Sequence, residues 1–511
     1  MKSIFLNSGM SFITQITTII LQFAVRNLFL SAFGVEILGL NSTFTSILGA
    51  LSLAELGFNT AIVYSLYKPI HDQNEKEIND ILNIYKWIYR CVGVFFVVGT
   101  FVCMPFLRYI IKGINVTTEV YSFFALQAMS SACTYFMAYR RTLLYVDQKE
   151  YVCKIVDLLC NVLCSVFQII SMIFLKNYIV YLCLMVIKVY SSNFYIHCWV
   201  KKRYAYLHNA PINRTKLGEI LANIKDVFTG KLANYIYNST DSLVISSFIS
   251  TAIVGYLSNY TMITNNLKIM MKSVLNPITP IIGNRLIERS ECPEDNESDF
   301  MLFTYVRYLI AIFCLVPMLC LIDDFVEGFF GSKYVLTRTI SILLTIDLYI
   351  DIVHSNCCQY IESAGLFKLN KFIDIIGAML NIILSIFLAK IIGLPGVLIG
   401  TVVGQVFFWL TRSYLVYSKC FKVQKARYYQ YWKKISKYTM LFVSIVFVGK
   451  VITSWLVISN WIISFIVKGV LLEAVSAIAL LICTCRTSEF TNLKAILLKV
   501  YRSRIEEAIN E

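Results

Sequence analysis

Runs of about 20 apolar residues, each long enough to cross a hydrocarbon core about 30 Å thick, recur along almost the whole chain. Fourteen can be drawn, at 4–30, 38–66, 83–107, 117–139, 155–175, 177–199, 221–249, 252–275, 300–322, 335–361, 370–390, 394–418, 438–457 and 461–484. The pattern predicts an all-α integral membrane protein with about 14 transmembrane helices. The opening "MKSIFLNSGMSFITQITTIILQFAV" has an apolar stretch too long for a signal peptide and no small-residue cleavage site, so it is read as a retained first helix. Composition agrees: 58% of the 511 residues are hydrophobic and 15% are charged, whereas a soluble globule carries about a quarter.

Orientation follows from Lys and Arg, which accumulate in cytoplasmic loops. With the N-terminus inside, the two most basic loops, "KKRYAYLHNAPINRTK" after the sixth stretch and "KCFKVQKARYYQYWKKISK" after the twelfth, fall on the cytoplasmic side, as does the C-terminus. The net charge of +15 is split among separate short loops. That distribution suits anionic headgroups of the inner leaflet and argues against nucleic acid as a partner.

The chain also repeats itself. A shift of 217 residues lays Arg90 on Arg307 and "KIVD" (Lys154 to Asp157) on "KFID" (Lys371 to Asp374), and a shift of 216 lays Gly39 on Gly255. Each repeat holds six stretches, an even number, so the halves are parallel repeats about an axis along the membrane normal. The expected domains are a six-helix lobe at 1–217, a second at 218–434, and two extra helices with a cytoplasmic tail at 435–511.

Two segments carry a family likeness. "RNLFLSAFGVEILGLNSTFTSILGALSLAELGFNTAIVYSLYKPI" and "NSTDSLVISSFISTAIVGYLSNY" resemble the most recognisable segments of the Wzx-type polysaccharide flippases, within the MOP exporter superfamily that also holds lipid II flippases and MATE drug exporters. The resemblance implies a two-lobed carrier that moves undecaprenyl-pyrophosphate-linked oligosaccharide from the inner to the outer leaflet of a bacterial cytoplasmic membrane. It also implies a cationic lumen with a basic residue in the first helix. Arg26 matches that position, followed by Asn27 where some relatives carry an acid. A polysaccharide polymerase would be the downstream partner, no cofactor is required, a monomer suffices, and a proton or sodium gradient would drive the cycle.

The charges inside the stretches are compatible with that task, because a pyrophosphate cannot cross hydrocarbon without a wet cavity and cations. Lys268 and Lys272 are four apart, hence on one helix face, and Arg307 enters its stretch at a similar inner depth. With Arg26 they are the candidate substrate-binding cations; for the three, snorkelling to the interface is the competing reading. Lys188, Arg412, Lys450 and Lys468 read as snorkelling cations. Glu55, Asp241, Asp347 and Asp351 lie well inside their stretches, where a carboxylate is costly. They are either counter-charges to lumen cations or a site for a coupling proton or sodium ion. Asp157 and Asp374 read as helix-start acids.

Nothing points to an enzyme. There are 4 histidines, no Gly-rich phosphate loop and no nucleophile elbow, and the 16 cysteines, spread mostly through apolar stretches without C-x-x-C pairs, read as small core residues with no metal site. Two other functions share parts of this pattern. A MATE-like small-molecule or cation antiporter would have the same fold with different cavity charges. A membrane polysaccharide polymerase or ligase would need a long extracytoplasmic loop, and the longest outer loop here is about a dozen residues.

Overall fold

The computed structural model describes residues 2–55, 58–208, 210–211, 239–288, 293–421 and 425–496, together with 217, 218, 232, 237 and 498. Among them there is no strand, and the chain forms two compact units, Met1–Ser258 and Asn259–Glu511. The expected lobe boundary at 217/218 sits beside 219–231, which lie outside the described residues.

In the first unit the helices are α1 (Lys2–Leu51), α2 (Phe58–His71), α3 (Glu75–Cys103), α4 (Thr118–Met137), α5 (Glu150–Phe174) and α6 (Tyr178–Arg203), followed by helical residues 239–248. The loop expected at 31–37 contracts to a single residue. Gly34 adopts φ +80° and ψ 177°, and this joint splits α1 into two helical segments. Asn74 caps α3, accepting from the Glu77 backbone N–H at 3.2 Å while its amide donates to the Glu77 side chain at 3.1 Å. Asn177 caps α6, its side-chain oxygen accepting from the Ile179 backbone N–H at 2.9 Å.

α7 (Thr251–Leu275) begins in the first unit and continues into the second. There follow α8 (Ile278–Glu288), α9 (Pro293–Phe330), α10 (Arg338–Ser363), α11 (Phe367–Ile392), α12 (Leu394–Val416), α13 (Lys425–Ser454) and α14 (Trp461–Thr484). α10 packs on α9 and α12, and α12 on α11. An aromatic cluster of Phe300, Tyr360, Tyr417, Phe421 and Tyr431 ties α13 to this core, with ring centroids 5.1 to 5.9 Å apart. α14 is held to α9 by Lys468 to Asp324 at 3.2 Å and by the Tyr305 and Thr484 hydroxyls at 2.7 Å.

Ten helices among the described residues are long and apolar enough to cross a membrane, lying on α1, α3, α5, α6 and α9 to α14. Of the fourteen expected stretches, 117–139 and 252–275 form α4 and α7, which are not among the ten, 38–66 is divided between α1 and α2, and 221–249 lies mostly outside the described residues. α7 falls short in hydropathy because it carries Ser258, Asn259, Thr264, Asn265, Asn266, Lys268 and Lys272. α5 shows what a lipid-facing helix looks like here: Leu159, Leu163, Phe167, Ile170 and Phe174 are exposed along one stripe, while Cys153, Val156, Cys164, Gln168 and Ser171 are buried on the other. In water that stripe would be an aggregation hazard; in a bilayer it is solvated by acyl chains.

One close approach shapes the first unit. Gly39 and Gly255, the glycines aligned by the repeat, pack against each other. A Cβ on Gly39 would stand 2.0 Å from the Thr251 carbonyl oxygen, and one on Gly255 would stand 2.2 Å from that of Val35. Only hydrogen fits at either position.

Candidate functional site

α10 carries the polar centre of the second unit. Its sequence "LTIDLYIDIVHSNCCQYIES" places Asp347, Asp351, His354 and Cys358 three or four residues apart, hence along one stripe of the helix. α7 faces that stripe with its own pair at the same spacing. Lys268 Nζ lies 3.3 Å and Lys272 Nζ 2.9 Å from Asp351 Oδ2. The carboxylate is the more enclosed partner, 13% exposed against 26% and 36% for the two lysines, so an approaching anion meets the ammonium groups first. Asp347 stands one turn away with a buried Oδ1 that accepts no hydrogen bond among the described residues.

The stripe continues into a second cluster. Arg412 of α12 donates from Nη2 to Asp374 of α11 at 2.6 Å, from Nε to Asn370 Oδ1 at 3.1 Å, and from Nη1 to His354 Nε2 at 2.7 Å. Its guanidinium also lies over the Phe408 ring, 4.5 Å from the centroid. A guanidinium can only donate, so His354 Nε2 accepts and the proton of a neutral ring sits on Nδ1. That Nδ1 is buried and finds no acceptor among the described residues.

Arg307 occupies a different setting. It is fully buried on α9, donating to Ser355 Oγ at 3.1 Å, to the Phe303 carbonyl at 2.8 Å and to Gln359 Oε1, so its fork is spent on α10 and on its own helix. Gln359 in turn donates to the Leu275 carbonyl at 3.1 Å, tying the end of α7 to the same helix. Lys268, Lys272 and Arg307 therefore all contact α10, but only the lysines share a carboxylate.

In the first unit Arg26 is half-buried on α1 and donates to Ser258 Oγ at 3.0 Å; Ser258 passes the bond on to the Gly255 carbonyl at 2.8 Å. One turn further along α1, Phe29 joins a ring cluster with Phe33, Tyr178 and Tyr181, with centroid separations of 5.1 to 6.1 Å. Asp241 is half-buried in the helical segment 239–248. Glu55 closes a 3-10 turn, Ser52–Glu55, and its side chain lies outside the described residues.

Sequence reasoning missed the connecting residues. Arg412 is no snorkelling cation but the hub of the α10–α11–α12 contact, and Lys450 and Lys468 are likewise tied down, to the Cys320 carbonyl at 3.2 Å and to Asp324. Asp374 and Asp157 lie two turns inside α11 and α5, so they are not helix-start acids. Asp157 forms a two-pronged pair with Arg141, both bonds 2.8 Å, and Arg141 also reaches Asn193 at 2.7 Å and Ser192 at 2.6 Å. The usable signal was present: the four-member stripe on α10 and the two repeat-matched acids are both visible in the sequence. Among the described residues no group of three His, Cys, Asp or Glu side chains is placed to hold a metal ion.

No family model and no curated protein matches the sequence. Solved structures do match in fold. "Lipid II flippase MurJ, inward closed conformation" superposes with a TM-score of 0.69 at 16% identity, covering 94% of this chain and 100% of that one. An inward-facing multidrug resistance MATE family transporter of the MOP superfamily gives 0.59 at 14% identity over 78% of this chain and 92% of its own. A point mutant of the Vibrio cholerae MATE transporter VcmN gives 0.53 at 11% identity over 82% of this chain and 98% of its own. The chain has the all-α, multi-pass fold of the MOP exporters.

Proposed function

We propose that this protein is a flippase for an undecaprenyl-pyrophosphate-linked oligosaccharide, carrying repeat units from the inner to the outer leaflet of a bacterial cytoplasmic membrane for surface polysaccharide assembly. Both termini are cytoplasmic. Transport runs by alternating access of two six-helix lobes, 1–217 and 218–434, with two further helices in 435–511, and draws on a proton or sodium gradient rather than on a cofactor. The observation that carries the reading is the Lys268–Lys272 pair, two half-exposed ammonium groups on one face of a helix otherwise set among membrane spans, backed by Asp351. Two cations four residues apart suit the two phosphates of a pyrophosphate, and in a partly dehydrated site each contact is several times stronger than in bulk water. Arg26 offers a third cation in the first unit, Arg307 sets the position of α10, and Asp347, Asp351, Asp241 and Glu55 serve as counter-charges or as the coupling-ion site.

A likeness of fold supports this choice over a small-molecule exporter. The lipid II flippase covers 94% of this chain against 78% for the MATE transporter; the difference, 16% of 511 residues or about 80, is close to the length of 425–496. The MATE-like antiporter is the second reading, favoured by the acidic pair Asp347 and Asp351.

Deleting the gene tests both. The flippase reading expects lipid-linked repeat units to accumulate on the inner leaflet and the surface polymer to vanish, with repeat-unit synthesis intact. Unpolymerised repeats appearing outside would instead mark a polymerase, and unchanged polymer with raised sensitivity to cationic drugs would mark an antiporter.

A further inference from the structure

The two lysines are not vacant. In the structure each contacts Asp351, so an anionic substrate cannot simply fill an open cationic pocket; it must take the lysines from a carboxylate already there. Leaving that carboxylate buried and unpaired would offset what the phosphate contacts gain. α10 holds a receiver for it. His354 is 3% exposed and lies one turn beyond Asp351, with Nε2 committed to Arg412 and Nδ1 buried without an acceptor among the described residues. Residues three apart on a helix are neighbours, so a side-chain rotation of Asp351 exchanges the lysines for this unused donor.

We infer that Asp351 is a displaceable internal anion: it occupies Lys268 and Lys272 until a phosphate-bearing substrate displaces it toward His354 Nδ1–H, and it expels the substrate by returning. The inference rests on the flippase reading above and adds to it the step that sets release. A site of bare cations would bind a pyrophosphate lipid tightly and let it go slowly. A competing carboxylate tethered to the same helix pair weakens the bound state without abolishing capture, because its effective concentration at the lysines is high and constant.

The test uses the purified full-length protein in detergent at low ionic strength, with inorganic pyrophosphate as the probe and calorimetric titration as the readout. Lys268→Gln and Lys272→Gln each weaken binding at least tenfold; wild-type affinity in both would remove the lysine-capture reading itself. Once the lysines are established, Asp351→Asn binds pyrophosphate at least tenfold more tightly while supporting less surface polymer per inserted protein. Equal or weaker binding by Asp351→Asn would overturn the displacement and leave lysine capture standing. Should Asp351→Asn fail to insert, Asp351→Glu keeps the charge and the fold and brings the competitor closer to the ammonium groups. It binds at least twofold more weakly than wild type, and tighter binding would overturn the proposal. The hand-over has its own check: His354→Leu weakens pyrophosphate binding in the wild-type background and not beside Asp351→Asn, and an equal loss in both would refute it.

Discussion

Removing Arg412 should damage the second unit more than removing Arg141 damages the first. Both arginines pair with an acid two turns inside a helix and both reach further polar side chains, Asn370, His354 and Cys358 for Arg412 and Asn193 and Ser192 for Arg141, so chemistry alone does not separate them. Exposure does. Arg412 and Asp374 are 13% and 11% exposed, whereas Arg141 and Asp157 are 26% and 38%. An enclosed pair that loses one member leaves an uncompensated charge in a poor solvent, about 3–5 kcal/mol. A pair open to water at about a third of its surface rehydrates the orphan, and after that screening about 1 kcal/mol remains. Arg412→Ala should therefore lower the unfolding midpoint of detergent-purified protein at least twice as far as Arg141→Ala. Arg412→Ala with Asp374→Asn should recover more than half of the Arg412→Ala loss, since the double variant buries no bare carboxylate. Arg412→Lys should recover less, because one ammonium group cannot fork to Asp374, Asn370 and His354 together. A larger loss from Arg141→Ala, or no recovery in the double variant, would refute the reasoning from burial.

Gly39→Ala should disrupt the first unit by more than an ordinary glycine substitution, about 1–3 kcal/mol or above, because its Cβ meets backbone at 2.0 Å and no side chain can yield; glycine-to-alanine at Gly469, where a Cβ meets nothing within 4 Å, is the matched control, and equal midpoints would contradict the close packing. Near the end of the chain, burial would raise the pKa of Glu489, but the 2.5 Å hydrogen bond and the positive charge of Lys434, together with hydrogen bonds from Ser488 and a backbone N–H, outweigh it and hold the carboxyl below the usual glutamate range. The pair's stabilisation is complete above the unfolded value near 4.5 and falls away as pH drops through the lower folded value, so Glu489→Gln should flatten the acid side of a midpoint-against-pH profile and leave pH 7 to 9 unaltered in slope.

How much of this was legible in the sequence depends on the length scale of the interaction. Helix faces were readable because the period is local: Lys268 and Lys272 were paired by spacing, and the structure brings both to Asp351. Helix ends were not, because the polar leaders "EYVCK" of α5 and "FKLNK" of α11 continue the helix beyond the apolar stretch and carry Asp157 and Asp374 two turns inward. Long-range partners left no local trace at all. Arg26 meets Ser258 across 232 residues of chain, and Arg412 meets His354 across 58. The hydropathy pattern likewise could not separate a sharp turn at Gly34 from a loop, since a single left-handed glycine does the work of several polar residues.

Positions that the expected repeat lays together have different partners in the two units. An offset of 217 lays Asp157 on Asp374, and each takes an arginine, yet the arginine comes from a different neighbour. In the first unit it is Arg141, at the start of the short helix Arg141–Val146 that precedes α5; the matching position in the second is Cys358, on α10, while Arg412 arrives from α12. Moving the cation across the acid has an electrostatic consequence. Arg141 ends on Ser192 and Asn193, a closed local cluster, whereas Arg412 ends on His354 and so joins a structural ion pair to the stripe that runs through Asp351 to the lysines. Among the described residues, contacts run from Asp374 through Arg412 to His354, one helical turn from Asp351, and Asp157 has no counterpart of that chain. The two acids that the 217-residue offset lays together thus end in different settings, one in a local cluster and the other beside the polar stripe of α10.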